Sequence, residues 1–588
     1  MSRSVEIDSA RREDDVVVTG APTAADSRRR GLARVGQRSV TLALVALLLL
    51  GLGLRLGGVA AIGFAEDEIN KLEAVRAYEH GDISPNAEHP MLMKALIYVS
   101  LGAAHAWNTG TGGGGAAAAS ITDETALRFP NILFGALTVL PLLLLAAAFF
   151  DRRTALAAAA LWAGGINAIT YNRIAKEDTL LVFFMLFAFY FYVRAKQARE
   201  AEKNTKRRSY ILSGAAFGLM FASKYFPHYF GLNALYHHYF RVRESEPGEK
   251  SGRTPRIFYL VIPVVFLVAN PVVLLPQTWN YLQSYTSGQL LTHTGYLMGE
   301  QLYRNNMSAT PFRGTPVYFY ILFLIIKIPP PVLVAFLFGL WECVRRRRNP
   351  SHAFLLFMFL FWIVPYSLIG AKWLRYTLSL MPFIYMIAAV GVIALTERSF
   401  SFFERRNGQR ATAARASVIA LLLLFLGWPA WQAYASGPHY AAYTNVIGQA
   451  LAGGRGQATG YFFPHDEFYD DGLREAIRYV CETAPPGATI VHETPGVARY
   501  YLEKYGRADL QSHVLSDPHF TLDPQQESYI ILQRGRTYFE NREKAERIRA
   551  TFPRIYDACV GGVAAAEVYA TRKGDSDALI HSCPRGDL

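Results

Sequence analysis

The apolar residues of this chain are gathered into long unbroken runs, and that clumping decides what it can fold into. Residues 40–62, 131–150, 257–276 and 377–395 are each long enough to cross a hydrocarbon core, which takes about 20 apolar residues in a helix. Lipid offers a peptide group no hydrogen bonds, so only helices and closed barrels span it. Barrel strands alternate apolar and polar residues, and these runs do not. The chain therefore reads as a polytopic membrane protein with an all-α membrane domain.

Charge gives the sidedness. A net charge of +13 would suit a nucleic-acid partner, but the basic residues sit in short clusters between the apolar runs. These are Arg28 to Arg38, Arg152–Arg153, Arg194 to Arg208, Arg241 to Arg256, Arg345 to Arg348, and Arg398 to Arg415. That is the positive-inside pattern of cytoplasmic loops, and no nucleic-acid module accompanies it. If every cluster is inside, crossings between neighbouring clusters come in even numbers. The crossings are then 40–62, 127–150, 154–171, 179–194, two short ones within 210–240, 257–276, 316–341, 352–369, 374–396 and 417–435. This predicts about eleven transmembrane helices, with 91–107 lying along the outer surface or re-entering. Residues 1–38 read as a disordered cytoplasmic N-terminus, 39–436 as the membrane domain with outer loops 63–126 and 277–315, and 437–588 as an extracytoplasmic domain. The first run lacks a small-residue cleavage site and reads as a retained anchor.

The tail alternates helix and strand. Helices are predicted over 470–484, 495–505 and 541–551, and strands over 488–493, 528–533 and 563–571, which makes a separate soluble α/β layer. Of the four cysteines, Cys343 lies beside the Arg345–Arg348 cluster, on the reducing side. Cys481, Cys559 and Cys583 lie in the tail, where one pair can bond and one thiol is left over. Gly110 to Gly115 lacks the ending of a phosphate loop and reads as a linker. Gly51, Gly53 and Gly57 suit close helix packing.

The ionisable residues near the outer ends of these helices are the candidates for chemistry. Asp67 and Glu68 directly follow the first run, and Glu88 and His89 come later in the same loop. A solvated helix end would explain the acidic pair; a carboxylate facing a surface cavity would explain it equally. Glu177 and Asp178 open another helix, where the helix dipole also favours a carboxylate. Lys327 lies midway along 316–341, followed by three prolines. A charge at that depth faces a cavity or a partner. Lys224, Lys372 and Arg375 sit at outer helix ends, where they either snorkel to headgroups or bind an anionic lipid phosphate. His293 is an isolated histidine in the second long loop.

Several short motifs, in this order, resemble one family. They are Asp67-Glu68, His89-Pro90-Met91-Leu92 with Lys94, Arg128-Phe129-Pro130, Arg173 with Asp178, Lys224-Tyr225, Lys327-Ile328-Pro329, Arg375-Tyr376, Pro438-His439-Tyr440, Tyr443-Thr444-Asn445 and Gly453-Gly454. Together they resemble the GT-C membrane glycosyltransferases of the protein O-mannosyltransferase and aminoarabinose-transferase-like superfamily, from about residue 40 to 450. Met91 replaces the second proline of the family's His-Pro-Pro-Leu element. In the tail, Phe463 to Glu467 stands where many bacterial relatives carry Asn-Leu-Asp-Trp-Gly.

The resemblance implies an inverting transfer from a polyprenyl-phosphate sugar, outside the membrane, to an acceptor hydroxyl on a protein, lipid or glycan. Such a displacement needs one base, and Asp67 is the candidate. Arg375, then Lys372, Lys327 and Lys224, would bind the donor phosphate. Glu68, His89 and Asp178 would orient the acceptor; Glu88, Arg173 and His293 are secondary candidates. No cofactor is required, though a divalent metal could sit at Asp67 and Asp178. The implied location is the plasma membrane. A transporter or lipid flippase is the rival reading, but it would place ionisable groups near midplane in repeated halves, and no repeat is present.

Overall fold

The computed structural model describes residues 36–110, 120–198, 202–225, 254–286, 295–305, 313–406, 411–453, 458–522, 526–571 and 583. It is mostly helical. Among the described residues, six helices are long and apolar enough to cross a membrane: Gln37–Ala61, Asp123–Phe149, Asp178–Gln197, Pro350–Leu368, Met381–Glu404 and Thr412–Ser436. Arg256–Ala269 is a shorter apolar helix. Leu42, Leu49, Val268 and Leu423 are exposed on these helices, an apolar belt that only lipid can cover. Trp279, Trp428, Trp431 and Tyr434 are exposed too, as interfacial aromatics are. The second short crossing expected within 210–240 lies outside the described residues, as do the predicted linker at 111–115, the N-terminal segment to residue 35, and His293.

Two of the expected crossings are broken helices. Residues 154–171 form Arg152–Ala163 and Ile166–Asn172. The break falls at Gly164 and Gly165, where a Cβ would lie 2.8 Å from Ala430 and 2.2 Å from Tyr385. Residues 316–341 form Phe319–Lys327 and Pro330–Arg345. Prolines after Ile328 cannot donate backbone hydrogen bonds, so carbonyls are freed there. Asn445 answers them: its amide donates to Ile325 and Ile328 at 2.8 and 2.7 Å, and its backbone N–H donates to Ile326. Asn167 donates to the Lys327 carbonyl at 2.9 Å. Lys327 therefore lies at the end of a short helix, not midway along a long one.

Close helix packing occurs elsewhere than predicted. A Cβ on Gly53 would meet nothing within 4 Å, and Gly57 faces only its own helix. Gly51 does pack, against Ala163. The tightest approach joins Pro330–Arg345 to Met381–Arg406: a Cβ on Gly339 would lie 1.8 Å from the Ile387 carbonyl, and one on Gly391 2.0 Å from that of Ala335.

The tail contains a five-stranded sheet. Its strands are β3 (Thr489–His492), β4 (Gln511–Val514), β5 (Ser528–Gln533), β6 (Arg554–Val560) and β7 (Val563–Ala570), after a small outer-loop hairpin of β1 (Tyr296–Met298) and β2 (Gln301–Tyr303). The order is β4-β3-β5-β7-β6. β3 pairs in parallel with β4 and β5; β7 runs antiparallel to β5 and β6. Strands β4 and β6 were not foreseen: β4 is four residues long and carries no apolar alternation. Cys559 and Cys583 form a disulfide, while Cys481 and Cys343 are free and buried.

The tail is not packed as a separate unit. Leu473, Ile477, Val480 and Tyr501 share one buried core with Phe64, Ile69, Leu72, Met93, Ile97 and Leu127, from the segment between the first two spanning helices and the start of the second. Apolar faces of Glu66–Glu79 and Met91–Gly110 are thus covered by tail residues.

Gly391→Leu should lower stability by about 3 kcal/mol or more, the upper end of overpacking costs. Thermal unfolding in detergent would measure this, with Gly53→Leu as the control that leaves the midpoint unchanged.

Candidate active site

Helix Glu66–Glu79 begins with three acidic residues, where unpaired N–H groups favour negative charge. They do three different things. Glu68 is fully buried. It accepts from Arg128 through both oxygens at 2.9 and 2.6 Å, from the Ala65 N–H at 3.0 Å and from the Ala175 N–H at 2.9 Å. Arg128 also donates to the carbonyls of Val59, Ile62 and Gly63. Glu68 therefore holds together the segments around Ala65, Arg128 and Ala175.

Asp67 is the partly open member, with 27% of its side chain exposed. Three donors converge on its Oδ2: Lys176, the Tyr469 hydroxyl, and Arg375 at 3.5 Å. Among the described residues none donates to Oδ1. Burial opposes ionisation of Asp67, but Lys176, Arg375 and Lys71 outweigh it and hold the carboxyl well below its usual range. Burial pushes Lys176 down to about 8, with Asp67 opposing and Arg375 and Lys71 adding to the shift. Arg375 lies over the rings of Trp373 and Tyr376 at 5.2 and 5.8 Å and is 24% exposed.

A second ionic group lies beside the first. Glu177 is buried, 3.0 Å from Lys71 and 3.7 Å from His89 Nδ1. Asp178 pairs with Lys224 at 2.5 Å, and Lys224 lies over Tyr376 at 4.8 Å. Asp67, His89, Asp178, Lys224 and Arg375 thus belong to one neighbourhood, joined by Lys71, Lys176 and Tyr376. Glu88 is nearby on Asn86.

Other predicted residues are engaged elsewhere. Lys372 is buried, with its ammonium on the carbonyls of Thr315 and Ile369 at 2.7 and 2.5 Å. Lys327 donates to Tyr443, Thr444 and Ala441 and pairs with Glu467 at 2.5 Å. Both ammonium groups are taken up by protein groups in this structure. Arg173 is buried on the carbonyls of Arg55 and Gly57, over the Tyr440 ring. It ties the end of the first helix to the segment after the last.

Among the described residues no three His, Cys, Asp or Glu side chains converge to hold a metal ion. Asp67 and Asp178 each carry a lysine instead, a poor fit to a divalent cation.

Sequence reasoning missed Lys71, Lys176 and the tail. Lys176 had a signal, since it adjoins Glu177 and Asp178 in a short outer loop. Tyr469 had none: it lies 402 residues from Asp67 in the chain. The segment Phe463 to Glu467, where the chain departs from the family pattern, leads directly into Tyr469 and Asp470, which contact Asp67 and Glu66. Asp466 accepts from Tyr296 of β1, and burial pushes its carboxyl up to about 6. A small cleft of about 60 Å³ lies beside this segment, and Glu68, Arg128, Arg173, His439, Asp466 and Tyr469 are among the residues that line it, whereas Asp67 and Arg375 are not. A larger depression at Glu342, Arg346 and Arg398 shares no residue with it.

Arg128→Met leaves the buried Glu68 carboxylate without its cation. It should cost about 3–5 kcal/mol, as breaking such pairs does, and be read as a lower thermal midpoint in detergent.

Comparison with known proteins gives one family match and several structural likenesses. Residues 116–275 match the family model described as dolichyl-phosphate-mannose-protein mannosyltransferase. That stretch contains Arg128, Arg173, Asp178 and Lys224, but not Asp67 or Arg375. No curated protein matches significantly. The fold is similar to ArnT from Cupriavidus metallidurans bound to undecaprenyl phosphate: 14% identity, 91% of this chain and 99% of that one, TM-score 0.49. It is also similar to the Archaeoglobus fulgidus oligosaccharyltransferase with a tethered acceptor peptide: 10% identity, 84% and 69% of the two chains, TM-score 0.44. A third likeness is to the S. cerevisiae protein O-mannosyltransferase Pmt1-Pmt2 complex bound to its sugar donor: 20% identity, 45% and 39%, TM-score 0.31. The resemblance read from the ordered motifs is thus met by a family model over residues 116–275, and there the chain is similar to the dolichyl-phosphate-mannose-protein mannosyltransferases.

Proposed function

We propose that this protein is an inverting glycosyltransferase that moves a sugar from a polyprenyl-phosphate donor to an acceptor hydroxyl outside the membrane. The observation that carries it is Asp67: partly open, with three donors on Oδ2 and none among the described residues on Oδ1. A carboxylate held in this way presents one oxygen to an incoming hydroxyl. The acceptor oxygen attacks the anomeric carbon, and its proton passes to Oδ1. The bond from that carbon to the phosphate oxygen breaks from the opposite face, and its electron pair leaves with the polyprenyl phosphate. The leaving group is already stable as an anion, so no acid need protonate it, unlike the acid–base pair of glycoside hydrolysis.

Arg375 is the cation that stabilises the departing phosphate, with Lys176 beside it and Lys224 behind. Its guanidinium fork suits a phosphate, and it is partly exposed. His89, near Glu177, lines the acceptor side. Eleven crossings, a cytoplasmic N-terminus and an outer tail complete the reading. The Cys559–Cys583 disulfide supports the last of these, since disulfides persist in oxidising compartments.

Asp67→Asn should lower transfer by about 10²–10⁴-fold, the usual share of a general base, while undecaprenyl phosphate still binds. The rate is read as return of the missing sugar when a deletion strain is complemented. Unchanged transfer would remove Asp67 from the reaction.

Arg375→Met should weaken undecaprenyl phosphate binding by about tenfold or more, the loss of one charge-assisted contact. Lys372→Met should lower the thermal midpoint and leave that affinity unchanged. Titration of both purified variants distinguishes the two roles.

A further inference from the structure

The tail reaches the proposed base through two consecutive residues. The Tyr469 hydroxyl donates to Asp67 Oδ2. The next residue, Asp470, accepts from the Glu66 N–H at 2.8 Å. Glu66 is the first residue of the helix that carries Asp67, and its N-cap, Ala65, has no side chain to satisfy that turn. Asp470 supplies the missing cap from another part of the chain.

The dipeptide is itself held firmly. Arg536 grips both oxygens of Asp470, at 2.7 and 2.5 Å, and reaches Glu66 at 2.8 Å. Gln533, the last residue of β5, donates to the same carboxylate at 3.0 Å. The Tyr469 ring lies under the Arg536 guanidinium at 5.4 Å. Tyr469 adopts φ 50°, in a region that only glycine enters without cost. Its carbonyl lies 2.7 Å from where a Cβ on Gly535 would stand, so the turn is seated against a glycine. A strained tyrosine kept in place by its surroundings is a common sign of a functional position.

We infer that Tyr469 is a positioning residue, through which the tail domain orients Asp67. Asp470 and Arg536 fix where the helix begins, and the Tyr469 hydroxyl fixes which way its second carboxylate turns. With Oδ2 engaged, Oδ1 faces the acceptor. The inference rests on the reading of Asp67 as the base.

The test uses the full-length protein in membranes of a strain lacking the gene. Each variant is restored at matched abundance with the cell's own donor. Tyr469→Phe removes one oxygen and keeps the ring. Transfer should fall about tenfold or more, the loss of one hydrogen bond to a charged group. Binding of undecaprenyl phosphate should not change. The acid limb of the rate should also move to higher pH. A hydrogen bond to the ionised carboxylate favours that form, and its loss raises the pH at which Asp67 takes up a proton, although Lys176, Arg375 and Lys71 still face it. Unchanged transfer would overturn the inference. So would a slower rate with an unmoved pH profile and a thermal midpoint lowered as far as in Arg536→Ala, which would make Tyr469 a structural contact only. Full transfer by Asp67→Asn is a separate result, and it would remove the base assignment beneath the inference.

Discussion

One buried carboxylate organises the end of this molecule that carries Asp67. Glu68 accepts four hydrogen bonds: from both arms of Arg128, from the start of its own helix, and from the loop before Asp178. A buried charge is tolerated only when it is paired and its lone pairs are satisfied. Here satisfying them forces three segments, far apart in sequence, to one point. Asp67 is then placed at the first helical turn, and Lys176 is brought from the second loop to face it. The ionic chemistry of the site follows from that placement.

Adjacent acids therefore differ by environment. Glu66 pairs with Arg536 of the tail, Glu68 is buried on Arg128, and Asp67 is partly exposed. The cations divide in the same way. Lys372 is taken up by backbone carbonyls, Lys327 by carbonyls and by Glu467, and Arg375 lies over Trp373 and Tyr376 and stays partly exposed. Charge type and depth did not separate these cases; the availability of nearby carbonyls did.

Much of this was legible beforehand. The runs of apolar residues marked the spanning helices, and the tail helices and three of its strands fell within a few residues of their predicted positions, because amphipathic period and turn residues act locally. Asp67 and Arg375 were expected to meet, because one follows an apolar run and the other opens one on the same expected side, and they lie 3.5 Å apart. What stayed hidden was long-range. Nothing around Asn445 advertises that it satisfies carbonyls more than a hundred residues away. Nor does the segment Phe463 to Asp470 show that it reaches Asp67. Lys327 was misplaced because hydropathy runs straight through the proline break.

The core shared between the tail and two earlier helices bears on how the chain is made. The apolar faces of Glu66–Glu79 and Met91–Gly110 emerge early in synthesis, whereas their covering residues, Leu473 to Tyr501, emerge some four hundred residues later. At ribosomal speeds of about 5–20 residues per second, that surface stays bare for tens of seconds. A chain cut before Leu473 would lack all of these covering residues and leave the surface bare for good.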